Sequence, residues 1–277
     1  GQVATAVQQQ ELWRLLIGQR AGVVVAGYIM GCDGCTRCGV VDGDWRATAK
    51  DDRPEWFGSA VSTLAERILV NINRAADVNP VNLLSAALLG TPKHAMAEDD
   101  LKRQIALSQR LIGAVPYSDR VTMTELDPAG VVAYGEKLGV IQRVKHPLGD
   151  VLHSTGDQAV LLSYFRNNVL HLFATPAWVA VCFLNNRRLQ RATVERLGRF
   201  IYPFIQGELF LPWSEDEWVA RIDAMTAQIV SEGLLECEQA FDHADGGVKR
   251  GAYRAALGLA VPAAVGELFA EQAVNEL

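Results

Sequence analysis

SEDEWVARIDAMTAQIVSEGLLECE, residues 214–238, opens with a serine and carries a glutamate three places later. Ser214 and Glu217 form the reciprocal pair that satisfies backbone N–H groups at the start of a helix. Beyond them Trp218, Ile222, Met225 and Ile229 recur at three- and four-residue intervals, so they share one helical face, and that face is expected to be buried. Gly233 stops the helix just ahead of a short apolar run that reads as a strand.

The same grammar recurs upstream. In WFGSAVSTLAERILVNINRAA (56–76) the residues Val61, Leu64, Ala65, Ile68, Leu69, Ile72, Ala75 and Ala76 mark one face of an amphipathic helix. Asn79-Pro80 supplies an N-cap and a first-turn proline for a second helix, which Gly90 closes. AEDDLKRQIALSQRLIGAVP (97–116) places Glu98, Asp99 and Asp100 in a first turn and bases after them, the order that the helix dipole favours, and Pro116 ends it. Asp127-Pro128 starts a helix that runs to Leu138, with Gly139 as its stop. VIQRVKHPLGDVLHST (140–155) then reads as two short strands around a Pro-Leu-Gly turn.

Three helices followed by a hairpin make a winged-helix-like order, and the 214–238 segment suggests a second copy. The expected fold is mainly α, a helical region with two small winged-helix-like units and short β-hairpins. Three parts are expected: an unassigned segment 1–50, a helical region with the first hairpin at 51–190, and a second helical unit at 191–277. Between the copies, 169–184 is almost wholly apolar, but Thr175-Pro176 interrupts it as the cap and first turn of a new helix, leaving it too short and broken to span a bilayer. Two core helices are expected there, with docking on a membrane surface as the alternative.

The 277 residues, 49% of them hydrophobic, suit a folded chain with a sizeable core. A net charge of −6 argues against a basic nucleic-acid surface. Gly1 in place of Met reads as a fragment or a processed product. Cys32, Cys35 and Cys38 have the spacing of the first three ligands of a four-iron cluster, yet Asp42 stands where the fourth would fall, and no histidine precedes His94. They are weak metal candidates, and five cysteines so placed suit a reducing compartment better than a disulfide framework. No cofactor is expected.

NPVNLLSAALLG (79–90), VPYS (115–118), YFRNNVLHLF (164–173) and IYPFIQGELFLPW (201–213) occur in an order and spacing similar to the C-terminal half of the large glycerol-3-phosphate acyltransferases, the bacterial inner-membrane enzyme and its mitochondrial relatives. The likeness runs from about Arg53 to about Glu238. It implies acyl transfer from acyl-CoA or acyl carrier protein to the sn-1 hydroxyl of glycerol 3-phosphate, giving lysophosphatidate for phospholipid synthesis. It also implies a peripheral position on the cytoplasmic side of the bacterial inner membrane. The partners so implied are the catalytic domain of the same full-length protein, acyl-CoA or acyl carrier protein through that domain, and the membrane surface, with no nucleic acid.

In that family a His-x-x-x-x-Asp motif works as a general base and its orienting carboxylate, and a Phe-x-Glu-Gly-x-Arg block binds the acceptor phosphate. The chain has one His-x-x-x-x-Asp, His94 to Asp99, but it follows the LLG block, where the family has no active site, and Phe-x-Glu-Gly-x-Arg is absent from the sequence. No catalytic residue is therefore assigned, and the fragment is expected to be inactive alone. Residues 4–50 depart from the family pattern between sharp edges, which either a shifted reading frame or a lineage-specific insertion explains.

Arg166, Asn167 and Asn168 form the most distinctive polar cluster, inside an otherwise apolar helix. They read either as an interdomain or headgroup contact or as a polar network that fixes packing. His171 reads as a core histidine, Arg187 and Arg188 as cations at a helix C-terminus, and Trp178, Trp213 and Trp218 as packing residues. A winged-helix binding module and an iron or zinc protein built on the three clustered cysteines are the competing functions.

Overall fold

The computed structural model describes residues 55–147, 149–184, 188–241 and 248–255. They fall in two compact units, one ending at Ile68 and the other beginning at Leu69. Of the first unit the described part is the opening of helix α1 (Glu55–Arg74). The helix forms where its period predicts, but Val61, Ile68, Leu69 and Ile72 along its apolar face are exposed, and Ala75 and Ala76 lie past its end.

In the second unit the chain continues through β1 (Asp77–Val78), α2 (Pro80–Leu88), β2 (Ala95–Ala97), α3 (Glu98–Ala114), β3 (Thr122–Met123), α4 (Pro128–Leu138), β4 (Gln142–Val144), β5 (Val151–His153) and α5 (Gly156–Val169). A 3-10 turn (Leu170–Phe173) leads into α6 (Ala174–Leu184), β6 (Arg188–Gln190), α7 (Arg191–Leu209), α8 (Glu215–Ser231), β7 (Leu235–Phe241) and β8 (Val248–Ala255).

With β3, which pairs with β1, set aside, the order helix, strand, helix, helix, strand, strand occurs twice, once as α2-β2-α3-α4-β4-β5 and again as α6-β6-α7-α8-β7-β8. Each copy closes a three-stranded antiparallel sheet in which the last strand sits in the middle, β2-β5-β4 in one and β6-β8-β7 in the other. The mainly α fold with two winged-helix-like units is the one the chain adopts. Each hairpin gains a third strand, β2 or β6, that no alternation in the sequence announces.

Local signals place the helix ends. Asn79 accepts from the Asn82 backbone N–H while Asn82 Oδ1 accepts from the Asn79 N–H, a capping box built from amides. Asp127 caps α4, whose exit residue Gly139 takes φ 71°, a left-handed value that glycine adopts without a Cβ penalty. Ser214 and Glu217 form the expected box on α8. α6 begins at Ala174, so Pro176 lies in its first turn, where a missing N–H costs nothing.

The core is continuous across both copies. α2 is buried along its length and packs on α3, α4 and α5, while α6 and α7 both pack on α8. Leu83, Leu84, Leu101, Ile105, Ile141, Leu152 and Leu162 are fully buried on the first side, and Trp218 and Ile222 on the second. Each such side chain contributes roughly 1.5–3 kcal/mol by leaving water. The apolar stretch after Val169 is core, with Phe173, Ala174, Ala177, Val179 and Phe183 buried. Among the described residues no helix is long and apolar enough to cross a membrane.

Candidate functional site

Helix α1 ends where three other parts of the chain meet it. Asn73 Nδ2 donates to the Leu209 carbonyl at 2.8 Å, and His171 Nε2 donates to the Asn73 carbonyl at 3.0 Å. Asn82 Nδ2 donates to the Phe165 carbonyl at 2.7 Å and ties α2 to α5. These bonds bring asparagines distant in sequence to the rim of one cleft of about 320 Å³, lined by Asn73, Asn79, Asn82, Asn167 and Asn168 together with Asp77. Among the described residues no base lines it, so the cleft presents neutral amides, one carboxylate and small apolar groups.

The three candidate residues of α5 thus have different surroundings. Arg166 is half-buried and donates through Nε and Nη2 to Asn167 Oδ1 at 3.3 and 3.2 Å. Burial lowers its pKa, yet a guanidinium stays cationic. Asn167 and Asn168 are exposed and face the cleft. Sequence reading found this pair and missed Asn73, which lies on another element, while it had taken Asn79 only as a cap.

Behind the cleft lies an aromatic wall. His171 meets Tyr117 edge-on at 4.8 Å, and Tyr117 meets Trp213 at 4.8 Å. Trp213 stacks on Trp218, which in turn stacks on Tyr202. The Arg221 guanidinium sits 4.1 Å over Trp213 and donates to the carbonyls of Val115 and Pro116. Trp218 Nε1 donates to the Gly198 carbonyl at 3.0 Å. The wall is packing: His171 is 4% exposed, and burial pushes its pKa down to about 4, so at neutral pH it is an uncharged donor to a backbone carbonyl.

The two ends of the lone His-x-x-x-x-Asp fall on different elements. His94 ends a short 3-10 turn with φ 49°, and its carbonyl accepts the Ser154 N–H. Glu98, Asp99 and Asp100 occupy the first turn of α3, and Glu98 is engaged by Arg143 and Lys102. Arg188 lies in β6 opposite Arg254, while Arg187 falls outside the described residues, as do Cys32, Cys35 and Cys38. Of the other cysteines Cys182 is buried and Cys237 exposed, and among the described residues no group of three or more His, Cys, Asp or Glu side chains could hold a metal ion.

The family model for the glycerol-3-phosphate acyltransferase C-terminal region matches residues 40–267. The chain belongs to that family. The match reaches beyond the Arg53–Glu238 limits of the likeness at both ends, so residues 40–50, expected to depart from the family pattern, fall within it. A glycerol-3-phosphate acyltransferase of Xanthomonas campestris pv. campestris is 59% identical over 185 residues, covering 67% of this chain and 21% of the relative. One from Xylella fastidiosa is 53% identical over 194 residues, 69% of this chain and 22% of the relative. One from Pseudomonas aeruginosa is 40% identical over 186 residues, 67% of this chain and 22% of the relative. The acyltransferase region described here therefore spans about a fifth of the length of the curated relatives it matches.

Proposed function

We propose that this chain is the helical C-terminal companion of a glycerol-3-phosphate 1-O-acyltransferase, whose general base and phosphate-binding residues lie elsewhere in the full-length polypeptide. The observation that carries this reading is the match of the family's C-terminal region over 228 of 277 residues (267 − 40 + 1) in a chain that corresponds to about a fifth of its relatives. The surroundings of His171 support it: that imidazole is sealed from solvent and spent on the Asn73 carbonyl, so it presents no base to a bound alcohol. The full-length enzyme would move an acyl group from acyl-CoA or acyl carrier protein to the sn-1 hydroxyl of glycerol 3-phosphate. This region would brace the catalytic part at the cytoplasmic face of the bacterial inner membrane.

The test is direct. Purified 277-residue chain is incubated with labelled glycerol 3-phosphate and acyl-CoA or acyl carrier protein, in parallel with the full-length enzyme. Lysophosphatidate is expected from the full-length protein only, and turnover by the shorter chain overturns the proposal. The helix and hairpin order also favours a DNA-binding module, but the charges oppose it. In winged-helix readers the third helix enters the major groove amid phosphate contacts. Here that helix is α4, whose one base is Lys137, or α8, which opens on Glu215, Asp216 and Glu217 and buries Trp218 and Ile222. Retention of the chain on a DNA column at moderate salt would reverse that preference.

A further inference from the structure

Strand β1 is paired along one edge. In its parallel register, Asp77 opposite Thr122 and Val78 opposite Met123, the Thr122 N–H reaches the Ala76 carbonyl at 3.1 Å and the Thr124 N–H reaches the Val78 carbonyl at 2.9 Å. Backbone groups alternate sides along a strand, so the N–H and C=O of Asp77 point away from β3. Among the described residues the sheet has two strands, β1 and β3, and no third strand takes up that second edge. The cleft lies against it, for Ala75, Ala76, Asp77 and Asn79 all line the cleft.

We infer that this cleft is a docking site for an extended peptide segment, which adds to β1 as a further strand. An unpaired strand edge is a template for another backbone, and main-chain hydrogen bonds carry this mode of recognition. Asn73, Asn79 and Asn82 spend amide groups on the bonds described above, but Asn168 and the amide N–H groups of Asn167 suit the same ligand, because a primary amide carries the donor and acceptor chemistry of the peptide group itself. Asn167, its oxygen held by Arg166, and Asn168 stand exposed on the same cleft, and Ile72, 52% exposed, offers apolar contact at the rim. A phosphate is poorly matched, since the lining holds Asp77 and no base.

The occupant is a stretch of the catalytic part of the same full-length polypeptide, and in this the inference rests on the function proposed above. The relatives supply the chain for it, being nearly five times as long as the part matched here. A two-residue edge is too short to hold a free peptide tightly, but a tethered segment binds at an effective concentration that reaches the millimolar range.

Hydrogen exchange read at single residues tests this. In the full-length enzyme the Asp77 amide should exchange at least tenfold more slowly than in the 277-residue chain. Asp77→Pro removes that N–H, keeps the backbone bonds to β3 while losing the Thr122 Oγ1 bond to the Asp77 carboxylate, and should abolish the protection of whichever segment pairs with it. Asn168→Leu, at an exposed position, should weaken the same protection and leaves the backbone intact if the proline variant fails to fold. A photo-crosslinker on Asn168→Cys should capture a peptide from the catalytic part.

Equal exchange of Asp77 in both proteins overturns the inference. So does protection of the 277-residue chain by anionic vesicles alone, or crosslinking to lipid only. A full-length enzyme that turns over substrate while Asp77 exchanges freely sinks this inference and spares the proposed function. A full-length protein without acyl transfer sinks the latter.

Discussion

His171 lies one turn from Asn167 in sequence, and its surroundings give it one sign of pH dependence. Burial holds the imidazole at about 4 against an ordinary 6.5, and the bond to the Asn73 carbonyl offsets this only in part. At neutral pH folded and unfolded chains are both uncharged there, so the group costs nothing. Between 6.5 and about 4 the unfolded chain takes up a proton that the folded chain refuses, so stability falls as pH drops through that window, by roughly 3 kcal/mol in full. Urea midpoints at pH 7 and pH 4.5 should therefore drop further for the native chain than for His171→Gln; equal drops would show that the histidine is not sealed. The sequence marked this residue as core from its place in an apolar run. It could not reveal that the Asn73 carbonyl, 98 positions away, is its partner, because nothing local to either residue encodes that contact.

At the scale of elements, helix ends were the most legible feature because their chemistry is local. Asn79, Asp127, Gly139, Ser214 and Glu217 each act within four residues of themselves. The strands β2 and β6 were not legible: three residues leave no room for an alternating pattern, and both are strands because a hairpin edge lies beside them. Arg143 shows how such elements are fastened. From β4 it meets Glu98 at the start of α3, Glu136 near the end of α4 at 2.8 Å, and Asp150 beside β5 at 3.0 Å. The bond to Arg143 and, after it, the one to Lys102 hold the Glu98 carboxyl down at about 2. Arg143→Gln would leave three carboxylates facing one another, with an expected loss of roughly 1–2 kcal/mol that shrinks in molar salt. A loss that ignores salt would mean that packing of the arginine stem, rather than its charge, is what matters.

Across the whole molecule, the two repeated units were legible as an order of helices and hairpins, while their shared apolar core and the asparagine cleft were not. The cleft gathers residues 73 to 82 and 167 to 168 only once α2 packs on α5. The surface carries a second unpartnered feature: on α7, Leu197, Phe200 and Phe204 are 38%, 73% and 59% exposed. Rings so placed, with Arg196 nearby in sequence and Arg199 paired to Glu215 and Asp216, suit insertion into a lipid interface. With the membrane as this face's partner, Phe200→Ser with Phe204→Ser should cut co-sedimentation of the full-length enzyme with anionic vesicles several-fold while leaving acyl transfer to a detergent-dispersed substrate intact. Unchanged sedimentation would place the lipid contact elsewhere.

In both three-stranded sheets the strand made last stands in the middle. During synthesis, then, β2 and β4 have no partner until Val151–His153 leave the ribosome, and β6 and β7 none until Val248–Ala255 follow. A transcript cut short before the codon for Val248 yields a product whose second sheet can never form, with two bare edges open to a neighbouring nascent chain.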